Sequence, residues 1–181
     1  MRRDEAAFTL IEIVLCVLIL GIVGVVVAEA MIVGFKTTNS TDQRLRESVD
    51  GQLVTAYFGR DVQAASQIAQ SATSPCSSST AIVTFKWTDP VDGTTAKAAA
   101  YVVAAAPPAG EEERLLTRQY CENGVLKTSN SLARYLAATG TPVSVSCSAP
   151  CTSVPAPTTV SMALTDAHGY TYTVSGTRRS S

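Results

Sequence analysis

The chain has 181 residues, 46% of them hydrophobic, with 14 Lys+Arg against 15 Asp+Glu. That is the size and composition of one folded domain with one modest core, and it excludes a disordered chain. The near-neutral balance excludes a protein built around general attraction to a nucleic-acid backbone or an acidic lipid surface. The paired arginines, Arg44 with Arg46 and Arg178 with Arg179, read as solvated surface.

The N-terminal segment is the most informative part. Residues 13–28 contain only aliphatic side chains, Cys16 and two glycines. With Phe8, Leu10 and Ile11 before them, they approach the roughly 20 apolar residues that a membrane-spanning helix needs. Arg2 and Arg3 precede the run, so the positive-inside tendency puts the N-terminus in the cytoplasm and the remainder outside. A secretory signal peptide using Ala28-Glu29-Ala30 as its cleavage site is disfavoured, because the apolar run is too long and Glu12 interrupts it. A lipoprotein reading of Cys16 fails because Leu15 stands where a small residue is required.

The string Ala7-Phe8-Thr9-Leu10-Ile11-Glu12, followed by Ile13-Val14-Leu15 and the aliphatic helix, resembles the cleavage and methylation motif of type IV pilins and type II secretion pseudopilins. The resemblance implies cleavage by a prepilin peptidase between Ala7 and Phe8 and N-methylation of Phe8. It also implies an assembly role for Glu12, paired with the Phe8 amine of a neighbouring subunit. The bland alternative for Glu12 is a capping box with Thr9. An ionised carboxylate in hydrocarbon costs on the order of 2–4 kcal/mol, which favours the intermolecular role. Alanine stands at position 7 where the family usually has glycine. Glu29 stands where major pilins often carry a helix-kinking proline, which points to a minor subunit.

After Phe35 the chain turns polar, and Ser40-Thr41-Asp42-Gln43 reads as a helix N-cap with a reciprocal glutamine. Leu45, Val49, Leu53 and Ala56, and in parallel Val54, Phe58, Val62 and Ala65, recur at helical spacing. They predict an amphipathic helix reaching about Ile68, its broad apolar stripe lying against a sheet. This section either continues the transmembrane helix or meets it at a joint near residues 37–39.

Beyond a Ser/Thr-rich connection over residues 71–80 the pattern becomes extended. Strands are predicted over 81–88, 95–105, 114–121, 125–128 and 143–147, with a terminal hairpin of 160–166 and 170–177. Asp89-Pro90-Val91-Asp92-Gly93, Asn123-Gly124 and Asp166-Ala167-His168-Gly169 supply turns. Residues 131–138 have no clear assignment. Trp87 and Tyr101 read as sheet packing. The expected organisation is a leader peptide over 1–7, a transmembrane and assembly helix over 8–35, an amphipathic helix over 36–70 and an exported β-rich domain over 71–181. The fold class is α+β, with the long N-terminal helix packed on an antiparallel sheet. The strand order, with Leu116-Thr117-Arg118 and a terminal Gly-Tyr hairpin, is similar to pseudopilin J and pilin-W-like minor subunits.

Cys76, Cys121, Cys147 and Cys151 form an even set, as expected outside the cytoplasm. Three pairings are possible, and the short Ser-Ala-Pro turn favours Cys147 with Cys151, leaving Cys76 with Cys121. A zinc site is disfavoured because only one pair has knuckle-like spacing and the sole histidine, His168, is distant. Asp89 and Asp92 could hold calcium but fit turn chemistry better. No cofactor and no enzymatic activity are expected. The expected partners are prepilin peptidase, other pilin or pseudopilin subunits, an inner-membrane assembly platform and membrane lipid, with nucleic acid unsupported. A pilus subunit leads, a type II secretion pseudopilin follows, and a signal-anchored or secreted β-domain binding protein is the third reading.

Overall fold

The computed structural model describes residues 10–105 and 114–179, the side chains of 36, 38–47 and 105 excepted. Among the described residues the arrangement is α+β: one helix, α1 (Leu10–Ala64), precedes eight antiparallel strands. The chain divides into two compact units, Met1–Arg46 and Glu47–Ser181.

In the first unit the helix section Leu10–Phe35, 26 residues, is long and apolar enough to cross a membrane. Its large side chains are exposed throughout, from Leu10 to Phe35. An all-round apolar helix has no polar face to present to water, so such a surface belongs against lipid or other helices. The helix hydrogen-bond ladder closes all of its interior backbone groups, as the bilayer interior requires.

The second unit begins within α1 and adds β1 (Gln67–Thr73), β2 (Thr80–Thr88), β3 (Ala96–Ala105), β4 (Arg114–Glu122) and β5 (Val125–Leu136). These five make one meander in sequential order. A second meander follows, of β6 (Val143–Cys147), β7 (Thr159–Thr165) and β8 (Thr171–Thr177). The sheets are joined where β5 ends: Leu136 bridges Asp166, the Ala137 amide donates to the Thr165 carbonyl, and that of Ala167 donates to the Tyr135 carbonyl. From the other side, Gln70 Nε2 donates to the Val145 carbonyl at 2.9 Å, occupying an acceptor on the β6 edge.

Val54, Phe58 and Val62, spaced four residues apart, place one helix face on both sheets and are fully buried. Phe85 of β2 and Tyr101 of β3 meet Phe58 edge-to-face, with ring centroids 5.5–5.8 Å apart. Such T-shaped pairs set the positive edge of one ring against the negative face of the next. From the second sheet Val160, Met162, Leu164 and Val174 close the same core. Contact is closest at Gly176 of β8, where an added Cβ would lie 2.8 Å from Val62 Cβ. Only a residue without a side chain lets that strand approach the helix.

Three sequence expectations are corrected. The amphipathic helix expected to reach Ile68, within a 36–70 segment, stops at Ala64, and Gln67–Thr73 is a strand. The reason is a contact distant in sequence: Ser66 turns both its amide and its hydroxyl onto the Lys86 carbonyl, at 2.9 and 3.1 Å, and so starts the ladder to β2. Second, of the two apolar stripes only Val54–Phe58–Val62–Ala65 is buried. Val49 and Leu53 are 54% and 38% exposed, and Ala56 is exposed. Successive helix positions lie 100° apart, and a sheet contacts only part of a helix's circumference. Third, the strand expected over 125–128 runs on as one 12-residue strand, β5, to Leu136, taking in most of the unassigned segment 131–138, with register irregularities against β4. Its polar Thr128-Ser129-Asn130-Ser131 run lies on an edge strand, where alternation is weakest and bulges discourage pairing with another chain.

Asn123 and Gly124 form the β4–β5 turn with positive φ of 49° and 79°. These are the two left-handed positions that a two-residue hairpin loop requires and that Asn-Gly adopts most readily.

Candidate functional site

The site is built on the start of α1. Leu10, Ile11 and Glu12 occupy its first turn, and Glu12 is the acidic residue there. Residues 1–9, with Ala7, Phe8 and Thr9 among them, lie outside the described residues. Beyond Glu12 the next charged residue in the chain is Glu29, and from there to Phe35 the run is again apolar. Thr37 closes the span, its hydroxyl donating to the Val33 carbonyl at 2.9 Å.

In the second unit the residues carrying unusual chemistry are a buried ion pair. Asp61, 1% exposed on α1, faces Arg118, 3% exposed on β4. Arg118 donates from Nε to Asp61 Oδ2 at 2.6 Å and from Nη2 to Oδ1 at 2.7 Å. The Tyr101 hydroxyl adds a third hydrogen bond to Oδ2 at 2.8 Å. Tyr57 and Tyr120 flank the guanidinium, with ring centroids 5.0 and 5.4 Å from its carbon. Burial lowers the Arg118 pKa, but its hydrogen bonds to and attraction by Asp61 more than offset that and hold it above the usual value. Burial, then the Asp61 charge, pushes the Tyr101 phenol well above its ordinary range. Arg118 stays charged and Tyr101 neutral, so this is a fixed clamp between helix and sheet rather than an acid–base pair. Asp50, also on α1, accepts the Arg134 amide at 2.8 Å, beside Tyr135, whose φ is +59°. That contact secures β5 where it leaves the first sheet.

The other residues singled out from sequence resolve into structural roles. Cys76 is bonded to Cys121, and Cys147 to Cys151. All four sulfurs are thereby withdrawn from thiolate chemistry, and Cys16 is a free cysteine. Among the described residues there is no group of three or more His, Cys, Asp or Glu that could hold a metal. His168 sits in the β7–β8 turn, its amide donating to Asp166 Oδ1 at 2.8 Å. Trp87 lies half-buried against Tyr120, ring centroids 6.1 Å apart, and Tyr101 is in the core. Arg178 is half-buried and Arg179 exposed, while the side chains of Arg44 and Arg46 are not described.

Asp89 pairs with Lys97 at 2.6 Å and accepts the Val91 amide at 2.9 Å. Asp92 accepts from the Thr95 hydroxyl and from the Thr94 and Thr95 amides. Both carboxylates are therefore turn organisers. The hydrogen bonds from Thr95 and Thr94 lower the Asp92 pKa to about 2, against 3.8 for the free group. With the folded value depressed, its contribution to the turn is complete above pH 3.8 and is lost as pH falls through 2. We expect the Asp92 carboxyl resonance to titrate near 2 in an NMR pH series, and to move part of the way back toward 3.8 in Thr95→Val, which removes the hydroxyl bond and keeps the two amide bonds.

Sequence reasoning missed Asp61, Arg118 and Asp50. A signal existed for the first: Val54, Phe58, Asp61, Val62 and Ala65 follow the i, i+4, i+7, i+8, i+11 pattern of one helix face. A carboxylate there is buried and needs a cation.

Residues 2–28 match the family described as the prokaryotic N-terminal methylation motif. The match covers the N-terminal segment only, and with the span that overlaps it supports a type IV pilin-like or pseudopilin-like prepilin anchored in a membrane. No curated protein and no solved structure matches the chain.

Proposed function

We propose that the chain is a minor pilin-like structural subunit. It is inserted in the membrane with its N-terminus in the cytoplasm, cut by prepilin peptidase between Ala7 and Phe8, and N-methylated at Phe8. It is then drawn by an inner-membrane assembly platform into a filament with other pilin-like subunits. The observation that carries this is the coincidence of a methylation motif over residues 2–28 with a carboxylate, Glu12, near the start of a 26-residue apolar span whose one other charged residue is Glu29. In lipid or among packed helices an isolated carboxylate is disfavoured by several kcal/mol, so it is retained where a cation meets it. The Phe8 amine of a neighbouring subunit supplies that cation at the right end of the helix. The β-rich unit then decorates the filament or caps its end, and no enzymatic step is required of it.

A pseudopilin of a type II secretion system uses the same N-terminal chemistry; a deletion that abolishes surface filaments but leaves protein secretion intact favours the pilus. The reading is tested on the natural product. Its mass and N-terminal sequence are expected to show methylated Phe8, and retention of Met1 or a start at Met31 would reject it. Glu12→Ala is expected to insert and be cut normally yet enter filaments poorly, and normal entry would remove the pairing role.

A further inference from the structure

β8 is the outer strand of the second sheet, and the hydrogen bonds of an antiparallel strand alternate in direction along it. Just beyond its ends the Tyr170 carbonyl accepts from the Asp166 amide, and the Arg178 amide donates to the Thr158 carbonyl. The register is regular between them, so Tyr172, Val174 and Gly176 are the residues that bond to β7. Thr171, Thr173, Ser175 and Thr177 therefore aim their amides and carbonyls the other way, and none of these groups has a hydrogen-bond partner among the described residues. The neighbouring edges are blunted: β5 is irregular against β4, and β6 gives an acceptor to Gln70 of β1. β8 has no bulge, proline or charged residue, the features that keep an exposed edge from pairing.

The helix beside this edge leaves room for a further strand. β8 lies along α1 from Gly51, where an added Cβ would stand 4.0 Å from Tyr172 Cε2, to Val62 at Gly176. The opposite flank of the helix is held by the first sheet, through Asp50, Tyr57 and Asp61. Thr55 and Gly59 follow Gly51 at i+4 and i+8 and continue the β8 flank outward. An added Cβ at Gly59 would meet nothing within 4 Å. Glycine weakens a helix interior, and no contact among the described residues requires one at that position.

We propose that the β8 edge takes an extended strand of a different pilin-like subunit, laid over Thr55 and Gly59; the inference rests on the assembly reading above. A row of outward amides and carbonyls is matched by another extended main chain, which repeats the same groups at every second residue. The side chains flanking that row, Thr171, Thr173, Ser175 and Thr177, are exposed and uncharged, so the strand they fit is itself uncharged. A minor subunit has other pilin-like subunits for neighbours, and the strand belongs to one of those.

The test uses the full-length chain in its natural host, comparing the sheared filament fraction with the membrane pool. Thr173→Pro removes an outward amide and crowds the edge while keeping every bond to β7. It is expected to lower incorporation roughly tenfold, with the urea midpoint of the detergent-solubilised chain unchanged. Gly59→Gln puts a side chain where the strand would lie and is the better helix former, so incorporation is expected to fall likewise while the midpoint holds or rises. A lower midpoint in Gly59→Gln would show that the glycine serves the chain's own packing and would remove the trough; normal incorporation of either variant would overturn the contact. If Thr173→Pro also lowers the midpoint, Gly59→Gln and a cross-link decide. With a photoreactive benzophenone amino acid in place of Ser175, the cross-linked peptide is expected to be one extended stretch of another pilin-like subunit. Links to a second copy of this chain, or none, reject the proposal. A natural product without methylated Phe8 rejects the assembly reading, whereas methylated Phe8 with normal incorporation of both edge variants rejects this contact alone.

Discussion

Asp61→Ala in the full-length, detergent-solubilised chain is expected to lower the stability of the unit holding the two sheets by about 3–5 kcal/mol, read as a shifted urea midpoint with an unchanged slope. The variant leaves the Arg118 guanidinium, 3% exposed, without its carboxylate and the Tyr101 hydroxyl without its acceptor. A buried charge deprived of its partner costs far more than the intact pair contributes. Removing the whole network is expected to do much less harm: Asp61→Leu with Arg118→Met and Tyr101→Phe replaces every polar group by an apolar one of similar volume. Such exchanges are often neutral or stabilising. A triple variant no more stable than Asp61→Ala would show that the loss comes from packing around residue 61, and a loss below about 1 kcal/mol in Asp61→Ala would show that Arg118 finds another partner. The pair's value then lies in registry, because an ionic contact has one good geometry whereas an apolar face tolerates sliding.

How legible the molecule was from its residues depended on how local the determining physics is. The span and its acidic residue are written in consecutive positions, 7–35, and needed nothing from the rest of the chain. The strong strands, rich in Val, Phe and Trp or ended by Asn-Gly, were equally plain. At residues 64–68 the reading failed, because Ile68 continues both the helical spacing from Ala65 and the strand alternation through Gln67–Thr73. The choice is made by the Lys86 carbonyl, which is distant in sequence. Val49 and Leu53 show the same limit from another side. Two stripes of equal apolarity ran along the helix, and only the placement of the sheets decides that Val54, Phe58 and Val62 are covered. At the candidate site, Glu12 is conspicuous as a carboxylate in an apolar run, whereas Asp61, signalled only by its place among hydrophobic neighbours, was missed. Arg118 offered no such sign in an extended segment. Short-range cysteine geometry is partly visible in a five-residue Cys-to-Cys stretch. The bond from Cys76 to Cys121, 45 residues apart, depends on a loop folding over a sheet face and was reached only as the pair left once Cys147 was given to Cys151.

That loop sets the second large effect. Cys76→Ser with Cys121→Ser is expected to cost about 4 kcal/mol, from the loop-closure entropy of a cross-link of this separation. The same change at Cys147 and Cys151, four residues apart, costs about 2 kcal/mol on the same reckoning. The first bond also fastens a cover. Ser74 and Ser77 donate to Gln119 Oε1 at 3.0 and 2.8 Å, and Cys76, Ala81, Ala98, Ala100, Val102 and Cys121 form a small core of their own. Alanines bury little area each, so this layer holds itself together weakly and depends on the covalent tie. Reduction is therefore expected to expose the β3 alanines as well as lower the unfolding midpoint. Hydrogen exchange is the decisive measurement: faster exchange in residues 74–80 with unchanged exchange at Val54–Val62 would locate the loss in the cover, and equal acceleration of both would place the bond's effect on the unit as a whole. If the double serine variant unfolds at the same urea concentration as the oxidised protein, the loop is held by its serine–glutamine contacts alone and the tie is dispensable.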